Sequence, residues 1–160
     1  MVSEFPFGHH VIVIEKCTKK YLKEAFREFD LNIAEGMVLL FLKRHDEKFD
    51  EAFLEELHQI PDGRTQEELV KELHYDKGVM TRTTQSLETK ELVIREKNVA
   101  DSRSYIFRLT QKGQELLPRL ETIIKDWSIH LVDGFDAQEL ETFERNLERL
   151  THNALNVLKG

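Results

Sequence analysis

Five residues of one short amphipathic stretch are suited to meeting the edges of another molecule, four through side chains and one through bare backbone: Lys77, Thr81, Arg82 and Gln85, with Gly78. A helical reading of Asp76 to Glu88 turns Val79, Met80, Thr83 or Thr84, and Leu87 inward and leaves those five outward. Arginine pairs bidentately with guanine and glutamine with adenine, while a threonine methyl or hydroxyl can meet a thymine methyl or a phosphate. Gly78 lets backbone N–H groups at a helix N-terminus come close to a phosphate. The run Thr81, Thr83, Thr84 is poor helix chemistry, because β-branching restricts the rotamers, and this suggests a use other than helix stability. Residue types alone would favour a solvated helix face of mixed polarity. The order of the surrounding elements has to decide.

Upstream, Thr65-Gln66-Glu67-Glu68 is a capping box that opens a helix to Leu73, with Leu69, Val70 and Leu73 inward. His74-Tyr75 makes the turn and Asp76 caps the next helix. Downstream the pattern changes to a strand, Val93-Ile94-Arg95, then a loop from Glu96 to Arg103 containing Lys97 and Asp101, then a strand from Tyr105 to Leu109. Alternation of Tyr105, Phe107 and Leu109 with Ile106 and Arg108 predicts a hairpin with one face on the domain. Thr110 then caps a helix towards about Val132, with Leu116, Leu120, Ile123, Trp127 and Leu131 on one face and Pro118 marking a kink or irregular first turn.

Asp136 starts a last helix on which Leu140, Phe143, Leu147, Leu150, Ala154 and Val157 follow in steps of three and four, a seam that wants a facing helix. At the other end, residues 11 to 29 carry Ile14, Tyr21, Leu22, Ala25, Phe26 and Phe29 at helical spacing, although Val11 to Ile14 could instead begin as a strand or extended arm. A buried helix from about Ile33 to Lys43 follows. Between residues 46 and 62 lie seven acids, with Phe49, Phe53, Leu57 and Ile60 at helical steps, which predicts a short acidic amphipathic helix that ends before Pro61.

Helix-turn-helix, a strand, a loop ending in Asp101-Ser102-Arg103, and a strand stopped by Leu109-Thr110-Gln111-Lys112-Gly113 together resemble the MarR family of winged-helix transcriptional regulators. The likeness covers about residues 10 to 158 in order and is strongest from Thr65 to Gly113; the acidic insert 46–62 departs from the family pattern. It implies a mainly α fold with a small β-hairpin wing (α+β), and a single domain over 1–160. The reading head would span about 33–109, and dimerisation helices about 10–30 and 111–158. It further implies that Arg103 reaches the minor groove or its phosphates, that Asp101 holds that guanidinium or the loop, and that Arg95 and Lys97 contact the DNA backbone. The implied partners are double-stranded DNA, a second copy of the chain forming a homodimer, and a small aromatic effector. Such a dimer would act, as a repressor, on a pseudo-palindrome with half-sites about 10 bp, roughly 34 Å, apart. Tyr21, Phe26, Phe29 and Trp127 are the residues that could line an effector crevice, with core packing the competing role for each.

Composition bounds the alternatives. Among 160 residues, 40% are hydrophobic, enough for a real core. The net charge of −7 is unevenly spread: residues 64–113 hold ten Lys/Arg against eight Asp/Glu, and the remainder thirteen against twenty-two. Acid is thus kept away from the proposed reading segment, although the small positive excess carries little weight by itself. Neither a membrane-length apolar run nor a basic start followed by an apolar stretch is visible, so a cytoplasmic location without membrane contact is expected.

The lone Cys17 has Lys16, Lys19 and Lys20 nearby, which would favour a thiolate and a redox-sensing role, but a passive half-buried thiol fits better because no aromatic hydroxyl partners can be matched to it. His9 and His10 have no spacing to ligands that would complete a metal site, and no cofactor is implied. Nucleophile elbow, phosphate loop and supported paired acids are all missing, which argues against an enzyme. A winged-helix module that binds protein instead of DNA is the other class, suggested by the acidic insert and opposed by Arg82, Gln85 and Arg103.

Overall fold

The computed structural model describes residues 6–43 and 63–158, so the acidic insert 46–62 lies outside the described residues. The chain divides into two compact units, one ending at Ile124 and one running from Lys125. In the first, helix α1 (Pro6–Arg27) buries Leu22 and Phe26 and stops where Asp30 takes a left-handed conformation (φ 55°). Val11 to Ile14 are helical, not an extended arm.

Helix α2 (Ile33–Leu42) begins at a capping box between Asn32 and Glu35 and buries Val38, Leu39 and Leu42. Helix α3 (Gln66–Leu73) has the predicted Thr65/Glu68 box, with the Glu68 N–H donating to Thr65 Oγ1 at 3.2 Å and the Thr65 N–H donating to Glu68 Oε2 at 2.6 Å. His74, left-handed at φ 55°, turns the chain into helix α4 (Lys77–Thr89), whose first turn is capped by Asp76. Met80 and Leu87 are buried as expected, and so are both Thr83 and Thr84. The Thr84 hydroxyl donates back to the Met80 carbonyl at 3.0 Å, satisfying a buried group within its own helix.

The wing consists of β2 (Val93–Lys97) and β3 (Tyr105–Leu109), antiparallel, with Arg95 opposite Phe107 and Lys97 opposite Tyr105. Its first strand therefore runs two residues further than the sequence suggested. A short strand absent from the sequence reading, β1 (Arg64–Thr65), pairs with the other edge of β3, giving the order β1-β3-β2. This corrects the simple alternation: in the central strand β3, Ile106 and Phe107 are both buried, with Ile106 against Gly63. Gly63, at φ 119°, leads into β1 with no room for a side chain, since an added Cβ would lie 2.6 Å from the Phe107 carbonyl oxygen. The core joins Phe26, Leu39, Leu69, Met80, Leu87 and Leu120, each without exposed surface, across α1 to α4 and the following helix.

That helix, α5 (Gln111–Leu131), continues through Pro118 and buries Gly113, Leu117 and Leu120. Its start explains the Leu-Thr-x-Lys-Gly motif. Three carbonyls beyond the end of α4 are taken in turn: Lys90 by the Lys112 ammonium at 2.8 Å, Glu91 by the Thr110 hydroxyl at 2.7 Å, and Leu92 by the Thr110 N–H at 3.1 Å. Gly113 is what permits the approach, because a Cβ there would lie 2.2 Å from the Leu92 oxygen.

In the second unit, helix α6 (Ala137–Leu158) starts at Asp136, whose carboxylate accepts the Glu139 N–H at 2.9 Å. None of its described residues is buried, and Phe143, Leu147, Leu150 and Val157 of the predicted seam are exposed. No described helix is long and apolar enough to cross a membrane.

Candidate nucleic-acid interface

Helix α4 presents Lys77, Gly78, Arg82 and Gln85 to solvent, as its period required. The Val79 N–H is taken by Asp76 Oδ1 at 2.8 Å, while those of Lys77 and Gly78 lie too early in the helix for an intrahelical acceptor. An added Cβ on Gly78 would crowd that capping oxygen at 3.2 Å. Thr81 differs from the outward residue expected. It is half-buried, and its hydroxyl donates to the Lys77 carbonyl (2.8 Å) and accepts from Gln66 Nε2 (2.7 Å), so it ties α3 to α4. Its hydroxyl proton is thereby committed, which leaves the methyl and one acceptor lone pair for another molecule.

The wing loop is built by local hydrogen bonds. Asp101 Oδ1 accepts the Arg103 N–H at 3.0 Å, and the Asp101 carbonyl accepts the Ser104 N–H at 3.0 Å. Asn98 closes the loop from the other side, its Nδ2 donating to Ser104 Oγ at 2.9 Å and its Oδ1 accepting the Ala100 N–H at 3.0 Å. Of the two roles open to Asp101, holding the loop is the one seen. The Arg103 side chain is exposed and, among the described residues, its guanidinium has no acidic partner. Arg95 lies over the ring of Tyr105, 3.7 Å from its centre, which places the guanidinium near the loop end of the wing. Lys97 is exposed at the end of β2.

A cleft of about 750 Å³ runs between the start of α3, the start of α4 and the wing, and brings Lys77, Arg95, Asp101 and Arg103 together with Tyr105 and Asn98. Glu67 and Glu68 also line it. Arg82, Gln85 and Lys97 are outside this cleft. Sequence reasoning missed Gln66, Asn98 and Tyr105; the turn preference of asparagine and the two-residue step from Phe107 to Tyr105 were the signals available.

The model of the MarR family matches residues 52–104. A solved MarR transcriptional regulator from Methanosarcina mazei Go1 superposes with a TM-score of 0.72 at 25% identity, covering 94% of this chain and 97% of that one. The family model thus covers about a third of this chain, and the solved regulator shares its fold. Two more solved structures share the MarR fold. The S. aureus MepR-DNA complex has a TM-score of 0.77 at 23% identity, over 94% of this chain and 99% of that one. A Listeria monocytogenes protein complexed with 26mer DNA has a TM-score of 0.79 at 22% identity, over 98% and 97%. The family's order of elements is thus present here, helix-turn-helix, wing and flanking helices included.

The other sites suggested by sequence fare differently. Phe26 is wholly buried, its ring so close to Gly36 that a Cβ there would lie 2.3 Å from it, and it offers no surface to a crevice. Tyr21 and Phe29 are half-buried, and the Arg119 guanidinium sits 5.1 Å from the centre of the Phe29 ring. Trp127 is half-buried in the C-terminal unit. Cys17 is exposed instead of half-buried. Among the described residues, no three His, Cys, Asp or Glu gather as a metal site would require.

Proposed function

We propose that this chain is a MarR-family regulator that reads double-stranded DNA as a homodimer, with α4 in the major groove and the wing along the flanking backbone, and that it acts as a repressor. The observation that carries the reading is the set of exposed side chains Lys77, Arg82, Gln85 and Arg103, displayed by a capped helix and a hydrogen-bonded loop. Arg82 and Gln85 supply guanine- and adenine-reading groups; Arg95, Lys97 and Arg103 supply phosphate contacts. MepR and the Listeria protein were solved with DNA, which supports a DNA partner for this chain.

The homodimer rests on apolar surface. Val11, Ile12 and Ile14 of α1 are about half exposed, as is Leu147 on the α6 seam, and a second copy would cover such faces. Two-fold symmetry then calls for half-sites roughly one helical turn, about 34 Å, apart. Release by a small aromatic effector has narrower support: the half-buried Tyr21 and Phe29, with Arg119 beside Phe29 to attract an acid.

Single substitutions test the assignment. Arg103→Ala should weaken binding to all duplexes and lower the salt slope by about 1, whereas Arg82→Ala or Gln85→Ala should cost about 1–3 kcal/mol and flatten discrimination between sequences. Parent-like binding by all three would overturn the reading face.

A further inference from the structure

Glu35 is an acid inside an otherwise apolar helix, 1% exposed, and its carboxylate is fully engaged. One oxygen accepts the Ser86 hydroxyl at 2.6 Å; the other accepts the Asn32 N–H at 2.8 Å and the Lys90 ammonium at 3.0 Å. Ser86 lies next to Gln85 and one turn after Arg82, and Lys90 closes the same helix. Lys90 also donates to the Asp30 carbonyl in the α1–α2 turn. From the opposite side, Thr110 and Lys112 hold the carbonyls of residues 90 to 92. The C-terminal end of α4 is therefore fixed on two sides, while its N-terminal end carries the outward Lys77 and Gly78.

We infer that Glu35 is a positioning residue for sequence reading: its buried carboxylate grips Ser86 and Lys90 and so sets the direction in which α4 points Arg82 and Gln85. The inference rests on the DNA-reading role proposed above. Leverage makes the grip consequential. At 1.5 Å per residue, Arg82 and Gln85 stand about 12 and 8 Å from Lys90, so a tilt of roughly 10° displaces them by about 2 and 1 Å, enough to stretch a 3 Å hydrogen bond beyond its range. A group-reading contact is lost over such a distance, whereas a phosphate contact through a long side chain can follow.

The test compares Glu35→Gln and Ser86→Ala with the parent, using proteins whose far- and near-ultraviolet circular dichroism show them folded. Two quantities are measured: the ratio of selected-site to random-duplex affinity, and the orientation of α4 relative to α2 from amide residual dipolar couplings. We expect the ratio to fall about tenfold or more, random-duplex affinity and salt slope to stay at the parent values, and the couplings of α4 to change as a rigid rotation. Ser86→Ala removes one of the three donors and keeps the variant set informative if Glu35→Gln does not fold. An unchanged α4 orientation in a folded variant overturns the inference, as does an equal loss on all duplexes. A parent that binds no duplex, together with a rotated α4 in the variants, would overturn DNA reading and leave the positioning role standing.

Discussion

Gly113→Ala has a predicted sign opposite to the one that helix propensity gives. In a solvated helix interior, Ala is about 1 kcal/mol better than Gly. Here the new Cβ would sit 2.2 Å from the Leu92 oxygen and 3.2 Å from Leu109 Cδ2. Ordinary C···O separations are about 3.3 Å or more, so α5 must retreat by roughly 1 Å. The Leu92 oxygen cannot swing away without losing the Thr110 N–H it accepts at 3.1 Å, and a retreating helix also stretches the Thr110–Glu91 and Lys112–Lys90 contacts. Overpacking costs about 1–3 kcal/mol and each weakened hydrogen bond about 1. After the propensity gain, a net destabilisation of about 2–4 kcal/mol remains, or roughly 5–15 °C in Tm for a chain of this size. Urea and thermal unfolding at matched protein concentration measure it. A variant as stable as the parent, or more so, refutes the close-approach account of the Lys-Gly motif.

Three further outcomes are expected. Burial pushes the Glu35 carboxyl up, but the Ser86 hydroxyl, the Asn32 N–H and the Lys90 ammonium outweigh it and hold the group below its ordinary value of 4.5. A carboxyl depressed on folding contributes stability above its unfolded value and loses it as pH falls through the folded one. The stability difference between parent and Glu35→Gln should thus be constant above about pH 5 and shrink below it in urea unfolding series; a difference that grows in acid contradicts the clamp. Tyr105→Ala removes the ring under Arg95, worth about 0.5–1 kcal/mol when exposed, and should weaken all duplexes about two- to fivefold alike; a sequence-selective loss by fluorescence anisotropy would argue for base reading instead. Leu147→Glu sets a charge into the α6 seam and should raise the dimer dissociation constant by about a hundredfold or more, since an unpaired charge costs several kcal/mol to bury. Sedimentation that shows a monomeric parent would end the dimer proposal.

What was legible in the sequence was chiefly local. Thr65 with Glu68, Asp76 and Thr110 each act within three residues, and helix caps of that kind can be read without knowing the fold. The α4 period likewise sorted Arg82 and Gln85 outward and Leu87 inward. Long-range features were not legible. Strand β1 is two residues long and exists because Arg64 and Thr65 pair with Phe107 and Ile106, over forty positions later, and its addition is what makes β3 central. Glu35 gave only the local signal of a capping box with Asn32, since its other partners Ser86 and Lys90 come from α4, over fifty positions later. Thr81 shows a third kind of miss: helical spacing gives the direction of a side chain but not its neighbours, and Gln66 of α3 happens to reach its hydroxyl. The Asp-x-Arg motif is visible in the sequence, while the part Asp101 plays as an acceptor for the loop's own backbone needed coordinates.

The central claim is that α4 and the wing read duplex DNA as a two-fold pair. Selection of bound duplexes from a random pool, followed by titration of the winning site at two salt concentrations, tests it most directly. The expected result is a pseudo-palindrome with half-sites about one helical turn apart and a log affinity that falls with log salt by about 0.9 per phosphate contacted, for a slope well beyond −3 with both heads engaged. Failure to enrich any sequence, with binding indifferent to salt, would contradict the account and favour a protein partner for the same surface.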